Sequence, residues 1–186
     1  MSNPTYFYLP FLMLLIVVHL LFINQNTATA TVNNDMVPFI RKSCAVTEYP
    51  DTCVSVLEGD PRSRIATDLK NLTKISMDIV YEEAIGLKSL FIKAGENVTD
   101  PVLKMNIGSC IGEFETCSFH MKTYGIPSFE NGDYADAISQ VTYCIDCSSN
   151  CTDTGTKLFN EEIETLFNLS TDVLGLSSMV PSRTNM

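Results

Sequence analysis

Seven cysteines are the residues of this 186-residue chain most able to do chemistry, whether as disulfides, thiols or metal ligands. Cys44 and Cys53 lie close together on either side of Tyr49-Pro50 and form the local pair. Closing this short loop would contribute about 2.5–3 kcal/mol in the chain-entropy model. Because seven is odd, at least one thiol has no partner within the chain.

The spacing of four further cysteines predicts two disulfides between antiparallel helices. When neighbouring helices run antiparallel, the residue numbers of facing positions have a nearly constant sum. The pairs Cys110–Cys151 and Cys117–Cys144 have equal sums, and their members lie seven residues apart on each helix, which is about two turns. The spacing therefore predicts both bridges. A Cys117–Cys147 bridge, offset by about one turn, ranks second.

Cys147 is then expected to be a buried free thiol, with pairing to another chain as the alternative. A zinc site made of Cys144, Cys147 and Cys151 needs consideration, because zinc accepts such ligands. It is disfavoured because the chain is expected to be exported into an oxidising compartment, where cysteines form disulfides. The sequence predicts no metal and no cofactor.

Catalytic motifs are scarce in the sequence. His120 is the single histidine after residue 30, so a Ser-His-Asp triad would have to use it. The chain has no Gly-x-Ser-x-Gly and no His-Glu-x-x-His motif. Paired carboxylates such as Glu82-Glu83 are typical of solvated helix faces. We predict no catalytic residue and a protein that is not an enzyme; a bundle that carries a small ligand is a rival class.

The elements that must position these residues are predicted to be helices, because apolar residues recur at three- and four-residue spacing. Asp60-Pro61 and Asp100-Pro101 are typical helix starts. Gly95 and Gly155 indicate helix ends, and residues 125–132 indicate a turn region.

The predicted fold class is therefore all-α. Four long amphipathic helices with short links favour an up-and-down antiparallel four-helix bundle, placed at residues 63–180. Residues 31–62 are predicted to form an N-terminal α-hairpin tied by a disulfide, and residues 31–180 together would make one domain.

Residues 1–30 contain no charged side chain and include the apolar run Phe11–Ile23, followed by Ala28-Thr-Ala30. This pattern predicts a secretory signal peptide cleaved after Ala30, with a membrane anchor as the alternative. The predicted localisation is extracellular. Four Asn-x-Ser/Thr motifs agree with export: Asn71, Asn97 and Asn168, with Asn150 weaker because a cysteine expected to be bridged follows it.

The formal net charge of −10 falls on the residues after position 30. Nucleic-acid binding needs clustered Lys and Arg, and binding to an anionic membrane needs a basic surface. We therefore expect neither partner for the mature chain, and we expect a monomer.

Several short motifs in order along the chain resemble those of the plant invertase and pectin methylesterase inhibitors. They are Cys44-x2-Thr47-x-Tyr49-Pro50-x2-Cys53, Gly59-Asp-Pro-Arg-Ser63, Thr99-Asp-Pro-x-Leu-Lys104 and Gly132-Asp-Tyr-x-Asp-Ala137. The resemblance covers about residues 40–178. It implies a four-helix bundle with an N-terminal hairpin, disulfides Cys44–Cys53 and Cys110–Cys151, and binding rather than catalysis.

The family's two targets are pectin methylesterase and acid invertase of the cell wall or vacuole, so the resemblance implies the apoplast, with the vacuole as the alternative. The motifs at Asp60 and Thr99 look slightly more like the pectin methylesterase branch. Pro127 and Phe129 are similar to a Pro-Lys-Phe element of invertase inhibitors, with Ser128 replacing the lysine. The alternative is that Pro127 is a turn residue and that the Phe129 ring is buried.

An inhibitor of this kind would occlude the substrate groove of its target, and an acidic surface would steer it onto a basic partner. Besides Pro127 and Phe129, the candidate contacts are carboxylates on the second and third bundle helices and their linker: Glu113, Glu115, Glu130, Asp133 and Asp136.

Overall fold

The computed structural model describes residues 36–181, which belong to one compact unit. The predicted signal peptide and its cleavage point lie outside the described residues. Seven α-helices follow one another: α1 (Met36–Cys44), α2 (Pro50–Gly59), α3 (Leu69–Gly95), α4 (Pro101–His120), α5 (Ile126–Asn131), α6 (Tyr134–Asp153) and α7 (Asn160–Met179). A short 3-10 turn, Ser63–Ile65, precedes α3, and a π-helical turn, Met121–Gly125, joins α4 to α5.

Helices α1 and α2 form the N-terminal hairpin. The Cys44–Cys53 disulfide ties them together, with 5.6 Å between the two Cα atoms. The hairpin packs on α7, where the amide of Tyr49 donates to Oδ1 of the fully buried Asp172 at 2.8 Å. The hairpin is thus held by a covalent bond within it and by a buried acceptor beneath it.

Helix α3 begins eight residues later than the Asp60-Pro61 signal predicted. The carboxylate of Asp60 accepts the amide of Arg62 at 2.7 Å and its guanidinium at 2.6 Å, and the same guanidinium binds both carboxylate oxygens of Glu82 at 2.7 Å. These bonds favour a turn, which leaves Ile65 77% exposed. The helix is capped instead by Asp68, whose side chain accepts from the amide of Asn71 at 2.8 Å.

The four long helices α3, α4, α6 and α7 form the predicted antiparallel bundle, and each packs on two neighbours in a closed ring. Asp100 caps α4 as predicted, accepting from the amide of Leu103 at 2.7 Å. Fully buried apolar residues from all four helices fill the centre, among them Leu87, Phe91, Phe114, Val141, Leu166 and Leu169. The all-α prediction is confirmed.

The stretch predicted as a turn region is mostly helical. The chain runs on from α4 through the π-helical turn into α5, and it turns at Gly132, whose φ of 86° suits glycine. Asp133 then caps α6 by accepting from the amide of Asp136 at 3.1 Å. Pro127 lies within the first two positions of α5, where a missing amide hydrogen costs no helical bond.

Candidate functional site

Two disulfides join α4 to α6. They link Cys110 to Cys151 and Cys117 to Cys144, with 4.7 Å between the Cα atoms of each pair, and all four residues are fully buried. These are the pairs with equal sums of residue numbers. Two covalent bonds about 10 Å apart along the axis prevent sliding and rotation of one helix against the other. The face formed by α4 and α6 is therefore rigid before any partner arrives.

Cys147 is the free cysteine of the described chain, and it is 2% exposed. Burial raises the pKa of its thiol to about 12, and the negative charge of Glu113 acts in the same direction. The thiol therefore stays protonated at neutral pH and is a poor nucleophile. Across residues 36–181 the structure brings no three His, Cys, Asp or Glu side chains into an arrangement that could hold a metal ion.

Four aromatic rings meet on the outside of this pair of helices: Phe119, His120, Tyr124 and Tyr143, hereafter the aromatic cluster. The His120 ring stacks on Tyr143 with centroids 3.9 Å apart and planes 19° apart. Tyr124 lies 5.9 Å from His120 and 5.8 Å from Phe119. Phe119, Tyr124 and Tyr143 remain 53%, 44% and 43% exposed. Such exposed rings are typical of the energetic centre of protein interfaces.

A chain of hydrogen bonds fixes the histidine at the centre of the cluster. Its Nδ1 lies 2.8 Å from Oε1 of Gln140, whose Nε2 donates to Oδ1 of Asp136 at 2.9 Å. The hydroxyl of Ser128 donates to the other oxygen of Asp136. These two hydrogen bonds lower the pKa of Asp136, which keeps the carboxylate ionised.

The π-helical turn brings this network together. Gly125 is buried in the turn, and a Cβ atom at that position would lie 3.2 Å from Cβ of Gln140. Absence of a side chain therefore lets the turn approach α6 closely. The aromatic cluster was missed in the sequence because its rings come from different segments. The sequence did contain a signal for this contact. The pairs of bridged cysteines have equal sums of residue numbers, and the same sum places position 120 opposite position 141, which is close to Tyr143.

Two of the predicted acidic contacts lie on α4, and each has a neighbour within the chain. Glu115 is exposed and pairs with the ammonium of Lys88 at 3.1 Å. Glu113 is half-buried and accepts from Nδ2 of Asn150 at 3.3 Å. An exposed ion pair is worth at most about 1 kcal/mol, so Glu115 can exchange partners readily.

The other three lie on the linker and the start of α6. Glu130 is exposed, 3.7 Å from the ammonium of Lys74. Asp133 caps α6, and the carboxylate of Asp136 accepts hydrogen bonds from the Ser128 hydroxyl and from Nε2 of Gln140. Asp133 and Asp136 thus position neighbouring groups, and Glu130 is the most available of the three for a partner.

Pro127 and Phe129 differ in their availability. Pro127 is half-buried near the start of α5, whereas the Phe129 ring is fully buried, 5.0 Å from the ring of Tyr134. Of the two interpretations of Phe129, a contact with the partner and a buried ring, the structure has the buried ring. The ring instead anchors α5 to the core, because its burial stabilises the fold more than an exposed position would.

The four predicted glycosylation sites differ in exposure. Asn71, Asn97 and Asn150 are exposed, near the start of α3, after α3 and within α6 respectively, and Asn168 is half-buried on α7. Asn150 already bonds Glu113. Asn97 is exposed and lies outside any helix.

None of the helices described between residues 36 and 181 is long and apolar enough to cross a membrane. The described residues thus form a bundle with a filled core, two cross-linked helices and an exposed aromatic cluster. These features place the chain in the class of disulfide-braced helical bundles.

Comparison with known proteins narrows that class. The family model for plant invertase/pectin methylesterase inhibitors matches residues 38–176. The chain therefore belongs to this family, which is a family of inhibitors and not of enzymes.

Among individual relatives, some are named as pectinesterase inhibitors and others as invertase inhibitors. A "Pectinesterase inhibitor" of Actinidia deliciosa is 35% identical over 102 residues, which are 55% of this chain and 44% of that protein. A "Putative invertase inhibitor" of Platanus orientalis is 28% identical over 103 residues, 55% of this chain and 59% of that protein. The matches thus span about half the length of these curated relatives.

A solved structure supports the fold. The crystal structure of mutant form A of a pectin methylesterase inhibitor from Arabidopsis superposes with a TM-score of 0.66. The match covers 75% of this chain and 95% of that one at 22% identity. The shared architecture confirms the bundle with its disulfide-linked N-terminal helix pair.

Proposed function

We propose that this protein inhibits a plant pectin methylesterase by binding over its substrate groove. The family match over residues 38–176 is the observation that carries the proposal. The filled bundle core favours an inhibitor that acts through its surface over the rival class of bundles that carry a small ligand inside.

Two observations favour pectin methylesterase over acid invertase as the target. The relative named a pectinesterase inhibitor is 35% identical, against 28% for the one named a putative invertase inhibitor. Ser128 stands where the resemblance to invertase inhibitors would place a lysine, and its hydroxyl bonds Asp136 within the chain. That position therefore offers no cation to an invertase.

The docking surface we propose is the aromatic cluster with the exposed carboxylate Glu115 at its border, since Glu115 lines the same groove as Phe119 and His120. Aromatic rings with few rotatable bonds bury large areas at low entropic cost, and carboxylates at the rim increase the association rate with a basic partner. Because the two disulfides hold α4 and α6 in place, little conformational freedom is lost on binding.

Features expected of an exported protein support the same function. The apolar leader, the Asn-x-Ser/Thr motifs and three disulfides are all expected in a protein exported through an oxidising compartment. We propose the apoplast, where pectin methylesterase would meet its substrate.

The test is inhibition of purified pectin methylesterase and acid invertase by the chain secreted from a eukaryotic host, assayed at pH 5 to 6. We expect submicromolar inhibition of pectin methylesterase and none of invertase. Inhibition of invertase alone would reassign the target, and failure to retard either enzyme at micromolar concentration would overturn the inhibitor function.

A matched pair of variants tests the docking surface. Phe119→Ala removes an exposed ring of the aromatic cluster, and we expect binding to weaken at least about tenfold, as for an interface hot spot. Met105→Ala is the control, because Met105 is 64% exposed on the same helix but lies about 20 Å away along its axis. Equal weakening in both variants would contradict the proposed surface.

A further inference from the structure

Two side-chain contacts join α4 and α6 on their outer side. The His120 ring stacks on Tyr143 with centroids 3.9 Å apart. The amide nitrogen Nδ2 of Asn150 donates to Oε2 of Glu113 at 3.3 Å. On each helix the two contacts are seven residues apart, which is two turns and about 10 Å along the axis. Asn150 is exposed, so it lies on the same side of the bundle as the aromatic cluster.

Asn150 also begins an acceptor motif for N-linked glycosylation, Asn150-Cys151-Thr152. The structure engages all three side chains of this motif. The Asn150 amide is bonded to α4, Cys151 is buried in its bridge to Cys110, and the Thr152 hydroxyl donates to the carbonyl oxygen of Ser148 at 3.0 Å. Residues two apart on a helix point about 200° apart, so the amide and the hydroxyl face nearly opposite sides. A transferase that reads both groups together therefore finds no acceptor in the folded chain.

Glycan transfer and formation of the Cys110–Cys151 disulfide therefore compete for the same short segment of an exported chain. Transfer joins Nδ2 of Asn150 to the anomeric carbon of an oligosaccharide, with loss of one amide hydrogen and release of the lipid diphosphate that carried the sugar. Bridge formation passes two electrons and two protons from the two thiols to a disulfide oxidant of the same compartment. The order of the two events decides whether Asn150 is modified.

A glycan on Asn150 would be bulky and would begin about 10 Å from Tyr143 on the side of the aromatic cluster. The fold would tolerate it, because the Asn150 side chain is exposed. Asn97 differs, because it precedes α4 and is separated from Phe119 by about 25 Å along the axis of that helix. A glycan on Asn97 would thus leave the aromatic cluster open, whereas one on Asn150 would obstruct a docking partner.

We propose that Asn150 is a latent N-glycosylation site beside the docking surface, and that the Cys110–Cys151 disulfide keeps it bare. The bridge thereby preserves access to the aromatic cluster in addition to holding the fold. The occupancy of Asn150 does not depend on what the protein inhibits, whereas the effect of its glycan on docking rests on the proposed function.

Occupancy is measured by mass spectrometry on the chain secreted from a eukaryotic host, after enzymatic deglycosylation that converts each glycosylated Asn to Asp. The reference is Cys147→Ala, which has no free thiol to form a substitute bridge. We expect Asn150 to be bare in most reference molecules and occupied in most molecules that also carry Cys110→Ala. Asn97 is the internal control, because its motif contains no cysteine, and its occupancy should not change. Equal occupancy of Asn150 in the two proteins would overturn the proposal.

A second measurement applies if the variant that lacks the bridge is not secreted. Dithiothreitol added to host cells that make the reference chain delays disulfide formation, and occupancy in the cell extract is then compared with that of untreated cells. We expect occupancy to rise at Asn150 and to stay constant at Asn97. A constant occupancy at Asn150 would contradict the proposed competition.

Thr152→Ala separates the effect of the glycan from that of the missing bridge. It removes the acceptor hydroxyl and leaves Asn150 bonded to Glu113. The glycosylated Cys110→Ala form should inhibit pectin methylesterase at least about tenfold more weakly than the reference, because an interface contact is obstructed. Adding Thr152→Ala should restore inhibition. Weak inhibition that persists with a bare Asn150 would overturn the role of the glycan, since the bridge itself would then support docking.

The outcomes separate this proposal from the proposed function. A glycan on Asn150 in most reference molecules, with inhibition intact, would overturn the proposal and leave the proposed function standing. Absence of inhibition by every form would overturn the proposed function, and the occupancies of Asn150 would still decide whether the bridge keeps the site bare.

Discussion

The inner of the two disulfides between α4 and α6, Cys117–Cys144, should stabilise the fold because it lowers the conformational entropy of the unfolded chain. The perturbation is Cys117→Ala with Cys144→Ala, made in a Cys147→Ala background so that no substitute bridge can form. The Cys147→Ala single variant, which retains all three disulfides, is the reference. Alanine is preferred to serine because both sites are fully buried and a hydroxyl there would lack a partner.

The magnitude follows from the rings that the bridges close. With the outer bridge alone, the unfolded chain has one loop of about 42 residues, and that bridge contributes about 4 kcal/mol. Adding the inner bridge divides this loop into rings of about 28 and about 16 residues, which together contribute between 6 and 7 kcal/mol, roughly. The inner bridge is therefore worth about 3 kcal/mol.

Guanidinium denaturation followed by far-UV circular dichroism measures this difference, with mass spectrometry confirming the number of disulfides. We expect the variant to lose about 3 kcal/mol relative to Cys147→Ala and to show a steeper dependence on denaturant, because its unfolded state is more expanded. A loss below about 1 kcal/mol, with the outer bridge intact, would refute the reasoning that loop closure governs the stability of this pair of helices.

Three further predictions concern single sites. Burial raises the pKa of Asp172 above the unfolded value near 3.9, so the stability that Asp172 contributes below that pH is lost as the pH rises through the raised pKa. Asp172→Asn keeps an acceptor for the Tyr49 amide but does not ionise, so its stability in thermal unfolding should rise relative to that of wild type between pH 4 and 7. A stability difference that stays constant over this range would contradict the prediction. Cys147, with its pKa raised to about 12, should react with iodoacetamide about a thousandfold more slowly in the folded than in the unfolded chain, and similar rates would show that the thiol is accessible. Asp100→Ala should cost about 1 kcal/mol in denaturant unfolding because Leu103 loses its cap; no loss would mean that water replaces the carboxylate at no cost.

The parts of the fold that could be predicted from sequence are those set by regular geometry. Antiparallel helices make facing positions add to a constant, so Cys110–Cys151 and Cys117–Cys144 followed from spacing alone. Asp100-Pro101 gave a correct helix start because nothing nearby competes for the capping carboxylate. Asp60-Pro61 predicted a wrong helix start, because the guanidinium of Arg62 binds the Asp60 carboxylate and also Glu82 of α3. This second contact joins segments that are distant in sequence.

The candidate site was less accessible to prediction for the same physical reason. The sequence left two interpretations of Phe129 open, a contact with the partner and a buried ring, and it is the π-helical turn with α5 that places the ring in the core. The stack of His120 on Tyr143 joins two helices, so no local pattern encodes it. Exposure and ring contacts depend on packing between segments, which periodicity along one segment does not determine.

The π-helical turn Met121–Gly125 also sets a rule for how this chain can vary in length. Its hydrogen bonds span five residues, so the turn holds about one residue more than an α-helical turn does. A one-residue deletion there would therefore restore ordinary α-helical geometry and leave the following residues in nearly the same orientation around the axis. Phe129 would keep its place in the core, and Ser128 its bond to Asp136. Relatives that keep this architecture should therefore tolerate the loss of this one residue, whereas a one-residue deletion within α4 would turn every following residue by about 100°.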